Sequence, residues 1–327
     1  MERDSIIDTL KYVLILFVII GHTLPKFMGG VIFTHLMNGI YLFHMPLFVM
    51  LSGYLTHRQP VAKFKDSMLS LLLTLCTFEF ISLVLKALVY HTLIPIYQPY
   101  WTLWYLFCLI LWRIAIQIIP DVVLNKKAVV LTVSIIASIV TPFIPLGYIG
   151  SFQRFFTFLP FFMIGYYMNR ETMQRLRNIN IAVPIITLAF CLTVTASLDQ
   201  QLPVLKILRG AEHYGQFDEN IELVLCSKLL FFVLSLLSSI AIISIIRWTT
   251  QFTANEGTKS LTYYLYHGLI IEFVLVPIVH ILHIEQSIFV AMAATIICVL
   301  ICYYLSKSRK LSLLTDPYRN IIKKHKL

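Results

Sequence analysis

Asp8, Lys11 and His22 fall within one apolar run, RDSIIDTLKYVLILFVIIGH, at 3–22. A simple anchor would be Leu, Ile and Val throughout, so these polar residues need a reason. On an α-helix eleven residues turn through roughly 1100°, about 20° beyond three full turns, and rise about 16 Å. Lys11 and His22 therefore share a face about half a bilayer apart. Asp8, three residues before Lys11, can pair its carboxylate with the ammonium across one turn. A charge in hydrocarbon costs a few kcal/mol even on the mildest scale, and such residues usually face a bundle interior or a water-filled cavity. The face is expected to line a site. Histidine is the side chain suited to proton transfer near neutral pH, which makes His22 a candidate base. The competing reading is an interfacial histidine that marks a helix end.

Three further positions, His44, Arg154 and His267, carry comparable chemistry. His44 lies in FHMPLFVMLSGYL at 43–55, beside Pro46, which removes a backbone donor and loosens the preceding turn. Ser52 and Gly53 in the same run read as small residues for close helix packing. Arg154 opens a run containing FFTFLPFFMIGYY, where it is either a snorkelling interfacial arginine or a site cation. His267 in SLTYYLYHG is flanked by Tyr263, Tyr264 and Tyr266 two turns into an apolar segment that also holds Glu272. Glu79, Lys86 and Arg113 are further intramembrane charges, with snorkelling the expected role of Lys86. Trp101 and Trp104 are expected to form an interfacial aromatic belt, with a sugar-stacking platform as the alternative. No Walker sequence, Rossmann glycine pattern, G-x-S-x-G elbow or H-E-x-x-H is present. The six cysteines form no C-x-x-C pair, which argues against a zinc site and a disulfide framework, and no metal is expected.

The elements that must position these groups are membrane helices. Of 327 residues 58% are hydrophobic and only 13% charged, against about 25% charged in soluble domains, and mean hydropathy is +0.82. The formal charge of +10 is read as a signal of membrane orientation rather than of nucleic-acid binding. The expected fold is all-α: a polytopic bundle of about ten transmembrane helices forming a single domain over 1–327. Spans are predicted at 6–24, 36–56, 67–90, 101–119, 127–144, 154–169, 180–198, 225–246, 260–281 and 286–306. The N-terminus lacks a cationic n-region and a cleavage signature, so the first run is expected to stay as a span. Arg3, Arg58, Lys63, Lys65, Lys126, Lys127, Arg170, Arg175, Arg177, Arg247 and Lys259 fall on one side of the alternation. A basic tail at 307–327 joins them, which predicts that both termini are cytoplasmic. Only 307–327 follows the last span, so no appended extracytoplasmic domain is expected. One outer loop, 199–222, is long, and is either a functional lid or binding segment or a solvated connector.

Five stretches carry a resemblance to a known family: IDTLKYVLILFVIIGH at 7–22, FHMPLFVMLSGYL at 43–55, WTLWYL at 101–106, LPFFMIGYYM at 159–168 and SLTYYLYH at 260–267. The sequence resembles the acyltransferase-3 superfamily of bacterial integral membrane acyltransferases, and within it the fucose 4-O-acetylase-like branch. The resemblance implies a multi-pass protein of the bacterial plasma membrane with about ten helices. It also implies transfer of an acetyl group from cytoplasmic acetyl-CoA to a hydroxyl of a surface polysaccharide or lipid-linked carbohydrate. Better-known members carry arginine where this chain has Lys11, which offers a positive charge but not bidentate phosphate recognition. On this reading Lys11, with Asp8 and His267, serves the donor, and His22 is the general base, with transient acetylation of its ring as the alternative. His44 and Arg154 are candidates to stabilise the oxyanion.

A polytopic transporter or flippase is the alternative, since intramembrane charges and a proline-broken helix also mark substrate pathways. No clear internal repeat is present, and a transporter has no need of the Lys11–His22 pairing. The partners expected are the lipid bilayer, acyl-CoA and a carbohydrate acceptor, with no nucleic acid; the sequence leaves the oligomeric state open.

Overall fold

The computed structural model describes residues 4–318 except 29, 94, 96, 200, 218–219, 309–310 and 312–313. Arg3, Asp218, Glu219 and most of the basic tail, Arg309, Lys310, Arg319, Lys323, Lys324 and Lys326, lie outside the described residues. The described chain is helical, with no strand. Its main helices are α1 (Ser5–Phe27), α2 (Val31–Leu55), α3 (Val61–Tyr90), α4 (Trp104–Ile118), α5 (Lys127–Val140), α6 (Phe152–Tyr167), α7 (Ala182–Leu198), α8 (Ile221–Ile245), α9 (Ser260–Ile281) and α10 (Ile288–Lys307).

Six of these are long and apolar enough to cross a membrane: α1, the 33–55 part of α2, α3, α8, α9 and α10. Arg170–Arg177 followed by α7, bent by 88°, makes a seventh if the pair is one broken span. At 15 residues α4 rises only about 22 Å, short of the roughly 30 Å of hydrocarbon. The chain is a multi-pass helical membrane protein.

The chain folds into two compact units, 1–33 with 58–110 and 249–327, and 34–57 with 111–248. In the first unit, α1 begins where Asp4 caps it, its carboxylate accepting from the amides of Ile6 (3.0 Å) and Ile7 (3.3 Å). The buried side of α1 carries Leu10, Leu14, Ile15, Val18 and Ile19, and it packs against the helix Gln251–Gly257, α9 and α10. Gly257 is required there: a Cβ would lie 1.7 Å from the Asp8 carbonyl oxygen. α9 is irregular, an α-helix over Ser260–Ile270 that widens to a π-helix over Ile271–Leu275 before Val276–Ile281.

In the second unit α5 packs on α6 and α7 on α8. α2 closes on α6 through the small residues expected to allow it. A Cβ at Gly53 would sit 2.0 Å from the Phe162 carbonyl oxygen, and one at Gly165 1.8 Å from that of Met50. The described part of 199–222 is packed rather than solvated. Leu202, Val204, Ile207, Leu208, Tyr214 and Phe217 join Leu42, Cys191, Val224, Phe231 and Leu234 in one buried cluster.

Candidate active site

The first unit presents two polar centres along α1. Near its start the Lys11 ammonium lies 2.7 Å from the Asp8 carboxylate, as the i,i+3 spacing predicts. Thr9 meets Thr249 (2.7 Å) and Thr253 (3.0 Å), tying this turn to the helix Gln251–Gly257. Tyr12 makes edge contacts with Phe252 and Tyr263. The Tyr263 hydroxyl donates to buried Glu256 (2.7 Å), which also accepts from Lys259 (2.9 Å).

Eleven residues further along the same unbroken helix, His22 stands in an aromatic nest. Its ring lies 5.4 Å from that of His267 and 5.0 Å, edge to face, from Trp101. His267 is fully buried, with Nδ1 3.1 Å from the Tyr263 carbonyl oxygen. A carbonyl only accepts, so Nδ1 carries the hydrogen; in the neutral ring Nε2 is then a lone-pair acceptor. That atom meets no hydrogen-bond partner among the described residues. Trp101 has φ of +32°, a left-handed backbone that a bulky residue rarely adopts and that is often found at functional positions. Gly268 leaves room for the turn, since a Cβ there would meet Thr102 Oγ1 at 2.9 Å.

Beyond the imidazoles lies a carboxylate between two ammoniums. Glu272 accepts from Lys26 at 2.8 Å and lies 3.7 Å from Lys86, and its carbonyl accepts from the Tyr90 hydroxyl at 2.7 Å. Lys26 also lies over the Trp101 ring at 5.2 Å. Lys86 is thus an ion-pair partner rather than a snorkelling chain. Glu79 accepts from the Tyr100 amide at 2.9 Å.

In the second unit His44 is fully buried, Nδ1 2.8 Å from the Ile40 carbonyl and its ring 4.7 Å from that of Tyr41. The Arg209 guanidinium lies over Tyr41 at 5.8 Å. Arg154 Nε donates to the Arg209 carbonyl at 3.4 Å, and its guanidinium lies over Tyr148, whose hydroxyl donates to Glu212 at 2.8 Å.

A family described as an acyltransferase domain, acyltransferase-3, matches residues 4–307. The chain belongs to the acyltransferase-3 superfamily. No curated protein and no solved structure matches it. Membership makes it an acyltransferase, and its geometry sorts the residues singled out in the sequence.

In this acyltransferase Asp8 pairs with Lys11, and His267 meets His22. His44 and Arg154 belong to the other unit, where Tyr41 and Arg209 lie between them. The belt expected of Trp101 and Trp104 is corrected: Trp104 is buried and Trp101 packs on His22. Glu256, Glu272, Lys26 and Arg209 were given no role by sequence reasoning. The signal available for Glu272 was an acidic residue five positions after an intramembrane histidine. Lys26 gave none, because its partner lies 246 residues away.

Proposed function

We propose that the chain is an O-acetyltransferase of the fucose 4-O-acetylase-like branch, moving acetyl from cytoplasmic acetyl-CoA to a carbohydrate hydroxyl at the outer face of a bacterial plasma membrane. The observation that carries this reading is His22 against His267, eleven residues along one unbroken helix from the Lys11–Asp8 pair. In this topology all ten helices cross or re-enter the bilayer and both termini are cytoplasmic, with the first turns of α1 on the donor side.

His22 takes the proton of the acceptor hydroxyl as its oxygen attacks the thioester carbonyl. The tetrahedral intermediate collapses with cleavage of the carbon–sulfur bond, and the leaving thiolate receives the proton from the imidazolium. Products are the acetyl ester and free CoA thiol. His267 Nε2, an acceptor with no partner among the described residues, is free to take a hydrogen bond from the incoming hydroxyl, so its role passes from the donor end of α1 to the acceptor beside the base. Lys11 gives the anionic donor a positive charge, with Asp8 holding the ammonium in place. The ~16 Å between Lys11 and His22 along the axis is a span that an extended pantetheine arm covers.

The test is transfer of labelled acetyl from acetyl-CoA to carbohydrate by purified, reconstituted protein. His22→Ala should lower the rate by about 10²–10⁴-fold, the contribution of a positioned general base. Lys11→Ala should raise the KM for donor more than for acceptor. A folded His22→Ala protein with undiminished transfer would overturn the assignment.

A further inference from the structure

Lys228 sits two turns into α8 of the second unit, in a place that its charge alone does not explain. Its Nζ is shut off from solvent and meets no hydrogen-bond acceptor among the described residues. The compensating group nearby is the Tyr214 ring, whose centroid is 4.9 Å away. The ammonium borders a half-open cleft whose walls are chiefly apolar, with Ile135 of α5, Phe158 and Phe161 of α6, Leu208, and Phe232 of α8. An ammonium left without a counter-charge in such a setting is costly, by several kcal/mol in a dry interior.

The same face of α8 continues the polar track. Counting 100° per residue, Ser235 and Ser239 lie within about 40° of Lys228 around the axis. Ser239 is fully buried, and its hydroxyl, like that of Ser238, has no partner among the described residues. Around the cleft the surface is apolar: Leu229, Leu230 and Val233 of α8 and Ile136 of α5 are 39–53% exposed. In a membrane-spanning chain that surface faces lipid.

We propose that this cleft binds one anionic glycerophospholipid, its headgroup phosphate meeting Lys228 as that side chain turns toward the cleft mouth, and an acyl chain along the exposed Leu229, Val233 and Ile136. Charge complementarity selects the occupant: among the described residues that line it the cleft has one cation and no anion, and its opening faces acyl chains rather than water. The bound lipid fixes the segment carrying Tyr214 against α5 and α8, where the Tyr214 hydroxyl already donates to the Ile139 carbonyl at 2.7 Å.

The experiment uses the full chain in detergent micelles, titrated with phosphatidylglycerol or phosphatidylcholine. Melting temperature and lipid retained in native mass spectra are read together. Wild type should gain stability from phosphatidylglycerol alone and retain one copy. Lys228→Met and Lys228→Gln should bind it at least about tenfold more weakly, while Lys228→Arg keeps the preference. Lys228→Met is expected to fold, because replacing an uncompensated interior charge by an apolar chain is commonly neutral or stabilising. Equal response of wild type to both lipids, undiminished phosphatidylglycerol retention by Lys228→Met, or full stabilisation by glycerol 3-phosphate alone would each overturn the proposal.

Discussion

Gly257→Ala tests the contact that holds the start of α1. A Cβ there would stand 1.7 Å from the Asp8 carbonyl oxygen, 2.4 Å from its carbon and 3.0 Å from Cα. These are backbone atoms in mid-helix and cannot swing aside. Ordinary contact needs about 3.5 Å, so the helix Gln251–Gly257 must withdraw by roughly 2 Å. That movement breaks the 2.7 and 3.0 Å bonds of Thr9 to Thr249 and Thr253, worth about 1 kcal/mol each. Strain from the extra carbon adds about 1–3 kcal/mol, for a total of roughly 3–5 kcal/mol. A thiol-reactive fluorogenic dye suits the measurement, because Cys108, Cys191, Cys298 and Cys302 are buried until the chain unfolds. With an unfolding entropy of about 2.1 cal/mol/K per residue over 327 residues, the midpoint should fall by roughly 4–7 °C. Gly39→Ala is the control: its Cβ meets only the movable Leu192 Cδ2, at 3.1 Å, and should shift the midpoint by less than about 2 °C. Equal melting of Gly257→Ala and wild type would refute the packing of this helix on α1.

Glu272→Gln should destabilise by about 1–3 kcal/mol. Its side chain is 11% exposed, but Lys26 and Lys86 are 35% and 26% exposed, so water tempers the loss expected of a fully buried pair. A double-mutant cycle with Lys26→Met that returns no coupling would dismiss the bridge. Burial of the Tyr214 phenol pushes its pKa up to about 12. The neutral form is thus favoured by the fold: this stabilisation is complete below the ordinary tyrosine value near pH 10 and is lost as pH rises toward about 12. Tyr214→Phe should therefore show a shallower fall in melting temperature than wild type over that window, and parallel falls would contradict the assignment.

Much of the fold was legible because apolar length is written directly in the sequence. The run expected at 225–246 is the helix Ile221–Ile245, and that at 6–24 is Ser5–Phe27. Which runs are long enough to cross was less legible, since α4, α5 and α6 are short and their apolar text continues into flanking turns. The Lys11–Asp8 pair could be read from helical periodicity. The meeting of His22 with His267 could not, because it depends on the packing of α1 on α9, which periodicity does not encode. That 199–222 packs instead of standing in solvent was hidden for a similar reason. Its apolar residues in LPVLKIL were visible, but the hollow that receives them is built from α2, α7 and α8.

The single wide turn at Ile271–Leu275 holds one residue more than a regular turn, and Glu272 stands in it. Deleting one residue there would restore regular winding and leave the helix beyond it close to its present phase, because the extra residue is taken up within the turn. Val276–Ile281 would then keep nearly the same edge toward its neighbours, while the side chains of the turn itself were re-aimed. A one-residue deletion here should therefore disturb the surroundings of Glu272 more than the packing of the helix that follows.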